Sequence, residues 1–177
     1  MAFTITSPIP GLFPIGNTDA GYTPANGSSA IPSAPATLGM VVRAFDPTYG
    51  EGEFILLKGV ASTVVGSMVT YDGTTFQTTL SATTANQGRP VAFAMAATTA
   101  ALWGWYQISG TAIALKSTSF KFAATVALGV ISTGKVGSVS SGKQILGART
   151  ANAATVASAT TTVAVVINRP HLQGRVT

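Results

Sequence analysis

The sequence predicts an all-β fold: a small barrel or sandwich of short antiparallel strands, preceded by an extended, proline-rich N-terminal arm. Three observations carry this. Short apolar or alternating runs recur at intervals of roughly ten residues, separated by turns rich in Gly, Ser and Asp. Helical periodicity is thin, with Thr83–Gln87 offering a single turn. Six of the nine prolines fall in residues 1–38, where they deny both helix and most ladder pairing. The domain division that follows is an arm at residues 1–38 and a β domain at residues 39–177.

The arm carries a single charge, Asp19, and spaced apolar side chains: Ile5, Ile9, Leu12, Phe13, Ile15 and Tyr22. A solvated linker would be charged and apolar-poor. An arm of this composition is built to lie in a groove of its own domain, of a neighbouring copy or of a third protein.

Strands are expected at Gly39–Phe45, Glu53–Val60, Ser67–Tyr71 and Thr75–Thr79. Asp46-Pro47 opens a turn that closes around Gly50-Glu51-Gly52, and Asp72-Gly73 fits a two-residue hairpin turn. In Pro90–Ala97, Val91, Phe93 and Met95 alternate with alanines, which predicts a strand buried on both faces. Leu102–Ser109 follows, with Trp103 and Trp105 on one face across Gly104, and Tyr106 and Ile108 on the other. Further short strands are expected at Ala112–Leu115, Ala124–Ile131, Lys135–Val139, Gln144–Arg149 and Thr162–Asn168, with Thr150–Thr161 as a small-residue loop. The pair spanning Arg89–Gly110 is the expected centre of the domain.

Only 8% of the 177 residues are charged, against about 25% in an ordinary soluble domain. The resulting Thr/Ser/Gly/Ala surface suits a chain that packs against copies of itself or a larger assembly. All five acids (Asp19, Asp46, Glu51, Glu53, Asp72) lie in the first 72 residues, where Arg43 and Lys58 oppose them. The eight basic residues from Arg89 to Arg175 meet no acid at all. This predicts a basic surface facing an acidic partner, whether protein, nucleic acid or another copy's acidic segment. No two basic residues are closer than five apart, and none cluster with aromatics, so nucleic acid is not an expected partner. The apolar stretch Val91–Tyr106 is interrupted by Thr98 and Thr99, so no membrane partner is expected. The N-terminus lacks a basic region before an apolar run, so it does not read as a secretory signal.

The residues offer little chemistry. With no cysteine there is no thiolate nucleophile or zinc–thiolate site. Asp46, Glu51 and Glu53 crowd one loop but match no calcium-loop spacing, and an exposed acidic turn accounts for them. His171 is the only histidine, and no serine elbow, phosphate loop or HExxH segment is present. The expectation is no enzyme, no catalytic residue, no metal, no cofactor and no small-molecule substrate. Trp103 and Trp105 read either as core or as a surface that stacks on a sugar or anchors an interface.

The order GRPVAFAMA, then GWYQISGTA, then Gly-punctuated strands and a final VVINRPHLQG resembles small capsid decoration (cement) proteins of tailed bacteriophages. In those chains a G-x-x-V-G-V-A strand leads to a G-W-x-Q-v-x-G strand, and a strand ending in N-R-P or similar closes the chain. The matching residues here are Gly88–Ala94, Gly104–Gly110 and Val165–Gly174, within a likeness spanning residues 39–175. The arm departs from the pattern. The resemblance implies a mostly β protein of the virion that binds the outer surface of the assembled capsid and bridges capsomers. Its implied partners are the major capsid protein and, as a homotrimer, its own copies. Shell or neighbour contacts are then expected from Ile5, Ile9, Leu12, Phe13, Ile15 and Tyr22 in the arm, and from Arg169, His171 and Arg175. The alternatives are a receptor- or glycan-binding module of a phage head fibre or tail spike, which needs exposed Trp103, Trp105 or Tyr106, and a hydrolase built on His171.

Overall fold

The computed structural model describes residues 2–7, 12–19, 37–100 and 102–175. Among them are twelve strands and no helix. They are β1 (Thr4–Ile5), β2 (Thr18–Asp19), β3 (Val41–Asp46), β4 (Gly50–Lys58), β5 (Met68–Tyr71) and β6 (Thr78–Leu80), followed by β7 (Val91–Ala94), β8 (Trp103–Leu115), β9 (Ala127–Ser132), β10 (Lys135–Gly137), β11 (Gln144–Thr150) and β12 (Thr162–Leu172). The chain is all-β. Its strands form one connected antiparallel sheet in the order β1-β3-β4-β8-β12-β11-β9-β10, with β2 and β7 also on β8, β5 on β7 and β6 on β5. The sheet does not close on itself.

The longest strand is the hub. One edge of β8 pairs with β4 from Trp103 to Ser109. Its other edge takes β2 at Trp103 and Gly104, β7 at Tyr106 and Gln107, and β12 from Ser109 to Leu115. The strand therefore runs through Gly110, where the sequence pattern had placed a break between two strands. The reason is a bulge. Glu53 faces Ser109 but Phe54 faces Gln107, which leaves Ile108 as an extra residue. Two residues on, Gly110 sits at φ +93°, with Gly52 and the Glu51 carbonyl against the place a side chain would occupy. Glycine here bends the strand instead of ending it.

A second bulge extends β12 past its expected end at Asn168. Ile167 pairs with Ala148 and His171 with Leu146, so Asn168–Pro170 arch over Gly147. Arg169 takes φ 42° and Pro170, which has no N–H, sits where the ladder skips. Through this arch β12 reaches the start of β7, where Pro90 bridges His171. The three segments Gly88–Ala94, Gly104–Gly110 and Val165–Gly174, remote in sequence, are thus mutual neighbours.

Three apolar clusters follow. Trp105, Phe54, Leu56, Val42 and Ala44 form one on the first face of β3, β4 and β8. Tyr106, Ile108, Ile55 and Leu57 form the second on the opposite face, beneath Val69, Ala92 and Ala94 of β5 and β7. Val91 and Phe93 turn the other way, into a third cluster with Ala112, Ala114 and residues of β9 to β12. The alternation in VAFAMA is thus buried on both sides, as expected.

Two local expectations are corrected. The β5–β6 connection is not a two-residue turn. The Asp72 carboxylate accepts the N–H groups of Thr74 at 2.9 Å and Thr75 at 2.8 Å, which stabilises a wider loop and delays β6 to Thr78. Phe76, at φ 54°, folds back against the second cluster. Thr83–Gln87 forms no helical turn; the Gln87 amide instead donates to the carbonyls of Ala82 and Thr84.

Replacing Gly110 by alanine tests the bulge. The left-handed backbone and the clash with the Glu51 carbonyl should cost about 2 kcal/mol of folding stability or more, read as a lower urea midpoint. An unchanged midpoint would show that β8 can switch partners without glycine.

Candidate interaction surface

The described part of the arm lies on its own domain. Phe3 is buried and meets the Phe54 ring edge-on at 4.8 Å. Ile15 is fully buried, and Ile5, Leu12 and Phe13 are half-buried against the same cluster. The Trp105 indole N–H donates to the Phe13 carbonyl at 3.1 Å, and the two rings lie 5.7 Å apart at 43°. The strands β1 and β2 knit the arm into the sheet through β3 and β8. Of the groove-owners open to the arm, its own domain holds these residues. Ile15 consequently has no surface to offer a partner, whereas Ile5, Leu12 and Phe13 keep part of theirs. Ile9 and Tyr22 lie outside the described residues.

An acid clamps this segment. Asp46 is buried, and its carboxylate accepts N–H groups from Ala2 at 2.6 Å, Thr48 at 2.8 Å and Tyr49 at 3.1 Å. Burial alone would raise its pKa, but these backbone donors outweigh burial and hold it below the ordinary carboxylate value. Composition had assigned Asp46 to an exposed acidic turn. The signal for the clamp is partial: Asp-Pro-Thr-Tyr marks a side-chain-capped turn, but nothing local points to Ala2.

The aromatic pair is core. Trp105 and Tyr106 are fully buried and Trp103 is half-buried. The Tyr106 hydroxyl bonds Thr98 at 2.9 Å. Burial, the dominant influence, raises its pKa. No ring face of Trp105 or Tyr106 is open to a sugar. At Gly104 a side chain approaches closely: an added Cβ would lie 2.8 Å from the Thr98 methyl group.

The C-terminal candidates come together with residues the sequence reading left out. Arg169, His171 and Arg175 are exposed. The Leu172 N–H donates to Arg89 at 2.8 Å and the Gln173 N–H to Gln144 at 2.8 Å, bringing Arg89 and Lys143 alongside. Arg169 also meets Glu53 at 3.1 Å, while Arg43 approaches the other oxygen of Glu53 at 3.6 Å. One carboxylate thus links two arginines from opposite ends of the chain. Beside it a shallow groove of about 240 Å³ is lined by Arg43, Glu51, Gly52, Glu53 and Ser109. Among the described residues no three His, Asp or Glu side chains gather as a metal site would need.

Lys116 leaves the predicted basic surface. It is 1% exposed, and its ammonium donates to the carbonyls of Ser117 (3.1 Å), Phe120 (2.9 Å) and Ser158 (3.1 Å). It ties Thr150–Thr161 to the preceding loop, and burial lowers its pKa. Exposed apolar side chains instead mark the outer face of β3 (Val41, Phe45), the β4–β5 loop (Val64, Val65) and Val139. In β3 the alternation of VVRAFD sets Val41, Arg43 and Phe45 on one face.

No family model, curated protein sequence or solved structure matches this chain.

The Asp46 clamp makes the hold on the arm pH-dependent. Because the folded carboxyl titrates below its unfolded value, its contribution is complete above about pH 4. It is lost as pH falls through the folded pKa. Amide exchange at Phe3–Thr6, expressed relative to the intrinsic exchange rate at each pH, should be slow at neutral pH and rise in acid. Asp46→Asn should raise it already at pH 7 while exchange in β8 stays slow. Equal protection in mutant and wild type would remove the clamp from the account.

Proposed function

We propose that this protein is a structural component of a phage virion that binds the outer surface of the assembled capsid and stabilises it by bridging capsomers. The observation that carries the reading is the joint placement of the three decoration-like segments. Chance matches scattered over a β-rich chain have no reason to converge. These three form adjoining strands at the centre of the sheet, with β8 paired to both β7 and β12 and Pro90 bridged to His171. A likeness of that kind belongs to the scaffold.

The surface supports the same reading. Only 8% of residues are charged, and the exposed apolar side chains sit in separate patches on β3, the β4–β5 loop and Val139. Several modest contact regions suit a subunit that touches more than one neighbour across a seam. In this reading the protein acts as a homotrimer, its partner is the major capsid protein, and its role needs no catalytic residue or cofactor.

The test is reconstitution. Added to capsids from its source particle that lack it, the purified chain should raise the temperature at which the shells break open. No gain at saturating protein would overturn the proposal. Deleting residues 1–38 is a poor variant for this purpose, because it removes Phe3 and Ile15 from the core. Phe45→Asp on the exposed face of β3 leaves the core intact and should weaken the protection.

A further inference from the structure

The ionised groups divide unequally between the inside and the outside of the molecule. Asp46 is buried among backbone donors. Asp72 is exposed but accepts from Thr74 and Thr75. Glu53 is shared by Arg43 and Arg169. Among acids whose side chains are described, Glu51 alone is exposed without a bonded partner. On the other side stand ten lysines and arginines. Lys116 is caged by carbonyls, and Arg43 and Arg169 pair with Glu53. The remaining seven have no carboxylate within salt-bridge distance among the residues whose side chains are described.

Three of these free cations, Arg89, Lys143 and Arg175, lie at one end. Where β7 begins and β12 finishes, backbone pairing sets them beside His171 and the Glu53-paired Arg169. The Gly88 N–H donates to Gln173 at 3.3 Å, and the Gly88 and Gly174 backbones lie in van der Waals contact. The strands hold these positions, so a partner need not order the backbone that carries them. The nearby acids are Asp72, beside Arg89, and Glu53, beside Arg169, and both already have partners.

We infer that this end of the molecule, Arg89–Lys143–Arg169–His171–Arg175, is a cationic docking face for an acidic surface of a different protein, not of a second copy of this chain. A second copy lacks the complement. Of the described acids, which by sequence alone could face another copy's basic region, Asp46 is buried and Glu53 is held between two arginines, which leaves Glu51 and Asp72 exposed on separate segments. The cluster holds no exposed Phe, Tyr or Trp, so apart from the His171 imidazole it offers charge without the stacking that single-stranded nucleic acid uses. The inference rests on the capsid-binding reading and adds to it: the shell meets this face with acidic side chains, and copies of this chain meet each other through other surfaces.

Salt and charge reversal test it in one co-sedimentation assay with capsids lacking the protein. Raising NaCl from about 0.05 to 0.5 M shortens electrostatic reach to a few ångströms and should weaken shell binding about tenfold or more. Arg89→Glu with Arg175→Glu should weaken it similarly at low salt. Lys58→Glu with Lys121→Glu, whose backbones do not pair with the segments of the face, should change it less than about threefold. All four positions are exposed, and matching thermal midpoints would exclude misfolding; the salt series needs no variant. Tight shell binding that ignores both salt and the Arg89/Arg175 pair would overturn this inference while leaving the capsid reading standing. Absence of shell binding at any salt would overturn both. The solution mass of the free chain should be the same at both salt concentrations, and dissociation at high salt would return the face to self-association. Affinity for duplex DNA at 0.15 M NaCl equal to that for shells would reassign it to nucleic acid.

Discussion

The structure depends on one strand that changes partners midway. A thirteen-residue strand is too long to be covered by a single neighbour in a chain of this size. β8 solves this with an extra residue at Ile108 and a left-handed glycine at 110. Before the bend it lies between β4 and β7, and its side chains point alternately into two cores, Trp105 into one and Tyr106 into the other. After the bend it lies against β12, and Ala112 and Ala114 enter a third core. Each cluster borrows one wall from β8. None could form without it, which is why a sheet that never closes can still bury its large side chains.

The arm follows from the same geometry. The Trp105 face of β8 and β4 has no second layer of strands over it, because β5 to β7 cover the opposite face. An uncovered face carrying Trp105, Phe54 and Leu56 exposes too much apolar surface to stand in water. Phe3, Leu12, Phe13 and Ile15 supply the cover. Its described pieces, residues 2–7 and 12–19, lie on this face, paired at β1 and β2 and pinned by Asp46 and the Trp105 indole. Of the three groove-owners that the composition of the arm leaves open, the same chain takes these described residues.

The alternation in Val91–Ala96 and the opposed faces of Trp105 and Tyr106 were legible because they are local, period-two facts. The extent of β8 and β12 was not. Gly110 and Arg169-Pro170 read as terminators, since a glycine or proline alone does not say whether a strand stops or bulges; the partner strand decides. Asp72-Gly73 was misread because an aspartate that caps its own loop competes with the tight turn the dipeptide otherwise favours. In the candidate surface, Arg169 and His171 were within reach of sequence reading. Arg89 and Lys143 were not, since β12 reaches them only by passing the second bulge. Lys116 had the look of a surface charge, and only folding of the small-residue loop around it makes it internal.

Charge economy links these features. Five acids in 177 residues are few, and the fold uses most of them as structural acceptors: Asp46 for the arm, Asp72 for a loop, Glu53 to join β3 and β12 through their arginines. Buried Asp46 is matched by buried Lys116, a lysine caged by carbonyls, so the outer field follows the formal net charge of +5. A protein with that outer field repels its own copies at long range and is drawn to acidic surfaces. Contacts between copies must then rest on short-range apolar burial, for which Val41, Phe45, Val64 and Val65 are the exposed resources. Attraction to a second protein rests on charge. The two kinds of contact respond oppositely to salt, so a single ionic-strength series can separate self-association from docking.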